Sequence, residues 1–115
     1  MGKRLATCLG AAALIGCSTA KVPAEQLAAS EQMARAAREA GASKVPAAGF
    51  YLQLADDEIG QARQLINEGK QDLAYNMLVR AEADAELALA AAREAPAKAE
   101  AQEAIRRAQQ MRSGL

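Results

Sequence analysis

Alanine makes up about a quarter of the residues from Cys17 onward, and proline, glycine and β-branched residues are scarce in the same stretch. Alanine has the highest helix propensity, because it loses no side-chain entropy in a helix. Helix is therefore favoured along nearly the whole chain after Cys17, and the sequence predicts an all-α fold. Alanine methyl groups bury little area, so we expect a thin core, with its larger side chains between Phe50 and Leu89.

Prolines and glycines divide this stretch into segments. Pro23, Pro46 and Pro96 each precede a helix-forming run, and proline suits the first position of a helix. Gly41 and Gly69 each follow such a run, where glycine acts as a left-handed cap. This punctuation predicts four helices, over residues 23–40, 46–68, 70–95 and 97–112. An open alternative is that Pro96 kinks one continuous helix.

Apolar residues recur with a period near 3.6 in the second and third segments. In the second they are Tyr51, Leu54, Ala55, Ala62, Leu65 and Ile66; in the third they are Ala74, Met77, Leu78, Ala81, Ala85, Ala88 and Ala92. Because little more than Gly69 separates the segments, we expect an antiparallel helical hairpin. The first segment carries Leu27, Met33, Ala34 and Ala37 and could lie on the hairpin as a third helix, which would extend it to a small three- or four-helix bundle. The last segment carries Ile105 and Met111 among polar residues and is the least able to bury a face.

The start of the chain has the features of a secretory signal. Lys3 and Arg4 precede an apolar run of roughly 11 residues, which is too short to span a membrane as a helix, since that needs about 20 residues. The run ends in Leu14, Ile15, Gly16 and Cys17. The alternative is an uncleaved amino-terminal helix with an incidental cysteine.

This ending resembles the lipobox of bacterial lipoproteins. The resemblance implies cleavage before Cys17, diacylglyceryl attachment to its thiol and acylation of the new amino terminus. Residues 1–16 would then be a signal peptide, 17–22 a lipidated linker, 23–95 an alanine-rich helical domain and 96–115 a polar helix. Several acyl chains give lasting membrane attachment. Ser18 follows the cysteine where an aspartate would favour the inner membrane, so we expect the outer membrane, facing the periplasm.

Composition excludes several kinds of chemistry. Cys8 would be lost with the signal and Cys17 is consumed by lipid, while histidine is absent from the sequence. Neither a nucleophilic thiol nor the commonest general base and metal ligand is then available, so we expect no enzyme, metal, small-molecule substrate or cofactor beyond the lipid on Cys17. The chain has 14 basic and 14 acidic side chains, so no basic excess is available to bind nucleic acid.

Few side chains stand out as candidate sites in the helical part. Phe50, Tyr51 and Tyr75 are the only aromatic residues, and they form either a surface for a partner or part of the hairpin core. The acidic cluster Asp56-Asp57-Glu58 could suggest a glycosidase, but consecutive helical residues point in different directions, so we expect a solvated face.

A family resemblance covers most of the domain. It rests on residues 36–42 (Ala-Ala-Arg-Glu-Ala-Gly-Ala), Pro46, residues 51–62 and residues 84–88 (Asp-Ala-Glu-Leu-Ala). These resemble a small bacterial envelope domain of unknown function, which occurs on short lipoproteins, alone or ahead of an OmpA-like domain. The resemblance implies an alanine-rich helical hairpin in the envelope and supplies no catalytic residue.

These observations favour a membrane-tethered lipoprotein that acts as a structural or protein-interaction module with an envelope protein as partner. One alternative is a spacer similar to murein lipoprotein, between outer membrane and cell wall. Such proteins end in a lysine that is linked to peptidoglycan, whereas this sequence ends in Leu115. Another alternative is a single tetratricopeptide-like adaptor, which Ala62, Leu65 and Gly69 resemble in spacing; no second copy follows after about 34 residues.

Overall fold

A computed structural model describes residues 24–114. Three α-helices follow one another, α1 (Ala24–Glu39), α2 (Pro46–Asn67) and α3 (Gln71–Ser113), and a short 3-10 helix, Ala42–Lys44, precedes α2. No strand occurs in this range, so the predicted all-α class is confirmed. The predicted signal peptide and lipidated linker lie outside the described residues.

Helix α3 corrects the prediction of four helices. The segments expected at 70–95 and 97–112 form one helix of 43 residues, with Pro96 in its interior. Proline lacks the N–H that would bond to the carbonyl of Ala92 and crowds that carbonyl. Alanines on both sides, Ala95 and Ala97 among them, favour helix strongly enough for the chain to continue through this defect. The predicted break at Pro96 is therefore wrong, and the single-helix alternative holds.

The boundaries predicted around the two turns are confirmed, whereas the helix start predicted at Pro23 lies outside the described residues. Pro46 opens α2, and Gly41 and Gly69 adopt left-handed conformations, with φ of 88° and 76°. After α2, the Lys70 N–H bonds to the Leu65 carbonyl at 2.9 Å and the Gly69 N–H bonds to the Ile66 carbonyl at 3.0 Å. This pair of bonds is the Schellman motif, which satisfies the last carbonyls of a helix and needs a left-handed residue. The chain reverses here within three residues.

Ion pairs show how the helices run past one another. Arg38 of α1 pairs with Asp56 of α2, and Glu31 of α1 pairs with Arg63 of α2, so these helices are antiparallel. The turn at Gly69 and the ion pair between Glu58 and Arg80, eleven residues to each side of that turn, make α2 and α3 antiparallel as well. Helix α1 also contacts α3, through a hydrogen bond between the Ser30 hydroxyl and the Leu78 carbonyl.

The core is built mostly from alanine. Its buried members are Ala34, Ala37, Ala42, Ala48, Leu52, Ala55, Ile59, Ala62, Leu78, Ala81, Ala85, Ala88 and Ala92. The face predicted for α3 is confirmed, with Met77 half-buried at its edge. The face predicted for α2 is only partly right, because Leu52 and Ile59 are buried while Leu54, Leu65 and Ile66 are half-buried. Helix α2 is covered by α1 as well as by α3, which widens and rotates its buried face.

Burial stops well before α3 ends. No described residue after Ala92 is buried, although the helix continues to Ser113, about 30 Å further at 1.5 Å per residue. The expectation that the last predicted segment is the least able to bury a face therefore agrees with the structure. Within residues 24–114, none of the helices has a hydrophobic stretch of the length that a membrane span requires.

Candidate interaction surface

Two of the three aromatic residues form a pair near the start of α2. The rings of Phe50 and Tyr51 lie edge to face, with centroids 5.5 Å apart and planes at 68°. Tyr51 packs against the alanine core, whereas Phe50 is 59% exposed. Edge-to-face pairs are a favourable arrangement of aromatic rings. Tyr51 therefore holds an exposed phenyl ring in place on the surface.

The third aromatic residue lies elsewhere. Tyr75 is on the first turns of α3 and is 43% exposed. Among the described residues it makes no ring contact with Phe50 or Tyr51. The structure thus brings together two of the three residues predicted as a partner surface. The alternative prediction was that the three residues pack in the hairpin core. Only Tyr51 does so, and it is half-buried there.

A groove that the sequence analysis did not single out lies between α2 and α3 beside the turn at Gly69. Its volume is about 480 Å³, and its apolar walls come from Leu65, Leu73 and Met77. Gln64 and Arg80 add polar groups to its lining. One residue of the groove was recognisable in the sequence, because Leu73 is apolar but lies outside the buried face predicted for the third segment. In the structure Leu73 is 56% exposed.

The acidic cluster of α2 is not uniformly solvated, which corrects the expectation for Glu58. Asp57 is exposed and Asp56 pairs with Arg38, but the side chain of Glu58 is only 9% exposed. One carboxylate oxygen of Glu58 lies 3.0 Å from a guanidinium nitrogen of Arg80. Sequence patterns treat charged residues as outward-facing, so a buried glutamate that follows two less buried aspartates escaped prediction.

The surroundings of Glu58 disfavour its charged form. Burial is the largest cause that raises the pKa of Glu58, and the negative charge of Asp84 raises it further, while Arg80 lowers it. The second carboxylate oxygen, Oε2, is buried without a hydrogen-bond partner. A proton on Glu58 would allow its carboxyl group to hydrogen-bond to Asp84, and this contact also raises the pKa of Glu58.

Exposed large apolar side chains are concentrated on α3. Those described are Phe50 on α2 and Leu73, Tyr75, Val79, Leu87, Ile105 and Met111 on α3. Single exposed apolar residues are ordinary, whereas a contiguous apolar patch indicates a surface for contact. Helix α3 carries six of these seven side chains, so a patch of this kind would lie on this helix.

The predicted lipidation residues Leu14, Ile15, Gly16 and Cys17 lie outside the described residues and stay a prediction. Within residues 24–114 no group of three or more histidine, cysteine, aspartate or glutamate side chains is placed to hold a metal ion. No family model matches the chain, and neither curated proteins nor solved structures gave a significant match.

Proposed function

We propose that this chain is a lipid-anchored protein of the bacterial envelope whose helical domain serves as a structural or protein-interaction module. The observation that carries the proposal is the order of residues at the start. Lys3 and Arg4, a short apolar run and Leu14-Ile15-Gly16 precede Cys17, which has the spacing of a lipobox. The first described helix, Ala24–Glu39, follows Cys17 by a few residues in the sequence.

Tethering is the mechanism that this arrangement supports. A lipid on Cys17 confines the domain to the membrane surface, which raises its effective concentration for any partner in the same compartment. The exposed ring of Phe50 and the apolar side chains of α3 supply surface for such a partner. Aromatic residues held in place are frequent anchors of protein interfaces, since they bury a large area at low entropic cost.

The anchor is tested by exchanging the sulfur for a hydroxyl. In Cys17→Ser the acyl acceptor is lost, so the protein should leave the membrane fraction and lose incorporation of an alkyne-labelled fatty acid. Cys8→Ser is the matched control, because Cys8 lies within the predicted signal and its loss should change neither result. A Cys17→Ser protein that still sediments with lipid and still carries the label would contradict the proposal.

The membrane is tested at the next residue. Ser18→Asp introduces the residue that favours retention in the inner membrane of enterobacterial-type envelopes, so the labelled protein should move from the outer to the inner membrane fraction. Ser18→Asn serves as the control, because asparagine has nearly the same size as aspartate but carries no charge. An unchanged distribution in both variants would argue against sorting by this position.

The interaction role is tested in cells by cross-linking and mass spectrometry of a tagged protein. Phe50→Ala should weaken capture of an envelope partner, whereas Gln53→Ala, an exposed change one turn further along α2, should not. An interaction role would be excluded if no envelope protein were captured by the unaltered chain and its deletion left the envelope unchanged.

A further inference from the structure

Helix α3 carries a second apolar face on the side that points away from α1 and α2. Ala90 and the buried Ala92 are two residues apart, which places them about 200° apart around the helix. Ala83 and Leu87 share the exposed side with Ala90, and Leu87 is 49% exposed. This outer face therefore lies opposite the contact with the rest of the domain.

The outer face continues along the end of α3 with alternating spacings of four and three residues. After Glu94 it consists of Ala97, Ala101, Ala104, Ala108 and Met111. Met111 is 68% exposed, and Ile105, one turn from both Ala101 and Ala108 at the edge of this face, is 58% exposed. A spacing of four and three is typical of a helix that packs along a second helix in a coiled coil. The buried face of α3 has the same spacing from Ala74 to Ala92 and is filled by α1 and α2.

A column of alternating charges flanks the outer face. Glu86, Arg93, Glu100 and Arg107 follow one another at intervals of seven residues, so they lie on the same side of the helix. Within residues 24–114, Glu86, Arg93 and Glu100 form no ion pair. Arg107 pairs with Glu103 on its own helix, and exposed pairs of this kind contribute little.

The charges of this column complement those of a second copy when the two helices run antiparallel. When a second α3 lies antiparallel, with the two-fold axis between Ala95 and Pro96, Arg93 faces Glu100 of the second copy and Glu86 faces Arg107 of the second copy. A two-fold axis repeats both contacts, which is the property of an interface between identical chains. Shifting one helix by one heptad places Arg93 opposite Arg107 and Glu100 opposite itself, so charge selects the register.

A parallel arrangement is disfavoured by the same residues. In a parallel pair each residue of the column faces the residue five positions later on the other helix. Arg93 would then face Lys98, and Arg107 would face Arg112. Both contacts join like charges, which opposes a parallel pair.

We propose that the outer face of α3 binds a second copy of this chain in an antiparallel pair centred between Ala95 and Pro96. Layers of Leu87 against Ala104 and of Ala90 against Ala101 fill the contact, and alanine lets the two backbones approach closely. Glu94 is the one charged member of the face, paired with Lys98 on its own helix at 2.9 Å. A polar residue in such a position weakens a coiled coil and fixes its register.

Cysteine cross-linking in cells tests the orientation. The full-length Ala90→Cys and Ala101→Cys variants, each with its own tag, are co-expressed and treated with a short bismaleimide. The antiparallel pair predicts cross-links between the two variants and few within either one. The matched control is Ala90→Cys with Ala99→Cys, because Ala99 lies on another side of the helix. This combination should give no more cross-linked product than the unaltered chain.

Charge exchange tests the register. Arg93→Glu replaces an attraction by a repulsion between two glutamates at two symmetric sites, and the four small changes add, so the cross-link yield should fall several-fold. Arg93→Glu with Glu100→Arg restores opposite charges and should restore the yield, whereas Arg106→Glu on another face of α3 should leave it unchanged. Dominant cross-links within one variant, an unaltered yield in Arg93→Glu, or no cross-link at all would overturn the proposal. Repeating the assay in Cys17→Ser separates it from the anchor, because the pairing needs no lipid.

Discussion

The hydroxyl of Ser30 lies 3.0 Å from the main-chain carbonyl of Leu78, and both residues are fully buried. The same hydroxyl lies 2.9 Å from the carbonyl of Gln26 on its own helix. A small polar residue thus sits where α1 crosses α3, with acceptors on both helices. Gln26 and Glu82 form a further hydrogen bond between these helices at 2.6 Å.

We expect Ser30→Ala to have a small effect, because both carbonyls are acceptors in their own helices and alanine fits the same space. The loss should be about 1 kcal/mol or less in the free energy of unfolding. Ser30→Leu should cost more, about 1–3 kcal/mol, since the added volume separates α1 from α3. Urea denaturation checks both, with the exposed Ser43→Ala as control. Equal destabilisation by alanine and leucine would contradict this account.

Ala81→Leu should destabilise the domain, because Ala81 is fully buried where α3 meets its neighbours. Overpacking of a well-filled core costs about 1–3 kcal/mol. Ala99→Leu makes the same change at an exposed position of the same helix and should alter stability little. Thermal unfolding followed by circular dichroism compares the two variants. Similar melting temperatures would mean that the alanine contacts are not close.

Glu58 should make stability depend on pH. The pKa of the Glu58 carboxyl group is raised in the folded state, so protonation of this group stabilises the fold. This stabilisation is fully present below the pKa of Glu58 in the unfolded chain, about 4, and is lost as pH rises through the pKa in the folded state. Glu58→Gln should therefore be more stable than the unaltered protein at neutral pH and gain less at acid pH. The ion pair with Arg80 offsets little of this, since Arg80 is 71% exposed.

Denaturation midpoints measured from pH 3 to pH 8 provide the check for Glu58. The matched control is Glu39→Gln, which removes a charge from an exposed position in the last turn of α1. A midpoint difference between Glu58→Gln and the unaltered chain that stays constant over this range would refute the assignment.

Pro96→Ala should slow hydrogen exchange in the part of α3 that follows it. The substitution restores a backbone donor and removes a clash, which is worth about 3 kcal/mol in the interior of a helix. Because no described residue after Ala92 is buried, the gain should appear in local protection of residues 97–113 and only weakly in global unfolding. Hydrogen exchange is measured by mass spectrometry at low protein concentration. Ala97→Gly serves for comparison, because it lowers helix propensity in the same region and should speed exchange.

The sequence was informative where backbone geometry decides structure. Glycine tolerates the left-handed conformation and proline fits a helix start, so Gly41, Gly69 and Pro46 marked real boundaries. The break predicted at Pro96 was wrong, because proline is tolerated inside a helix when residues of high helix propensity lie on both sides. A local pattern does not show whether the proline or the flanking alanines determine the conformation.

The tertiary details were less accessible. The buried side of α2 depends on α1 as well as on α3, and the periodic pattern of one segment does not show how far a second neighbour rotates that side, so Leu52 and Ile59 were missed. Glu58 was missed because its burial is imposed by packing and not by its own chemistry. The groove beside Gly69 requires two helices to be placed together, which no single periodic segment reveals.

The alanine core has a thermal consequence. The heat-capacity change of unfolding scales with the apolar area that becomes hydrated, and methyl groups such as those of Ala85 and Ala88 expose little of it. A domain of this kind should have a broad, shallow curve of stability against temperature, with little difference between a cold and a warm environment. Small side chains would thereby give the protein a nearly constant, modest stability instead of a sharp optimum.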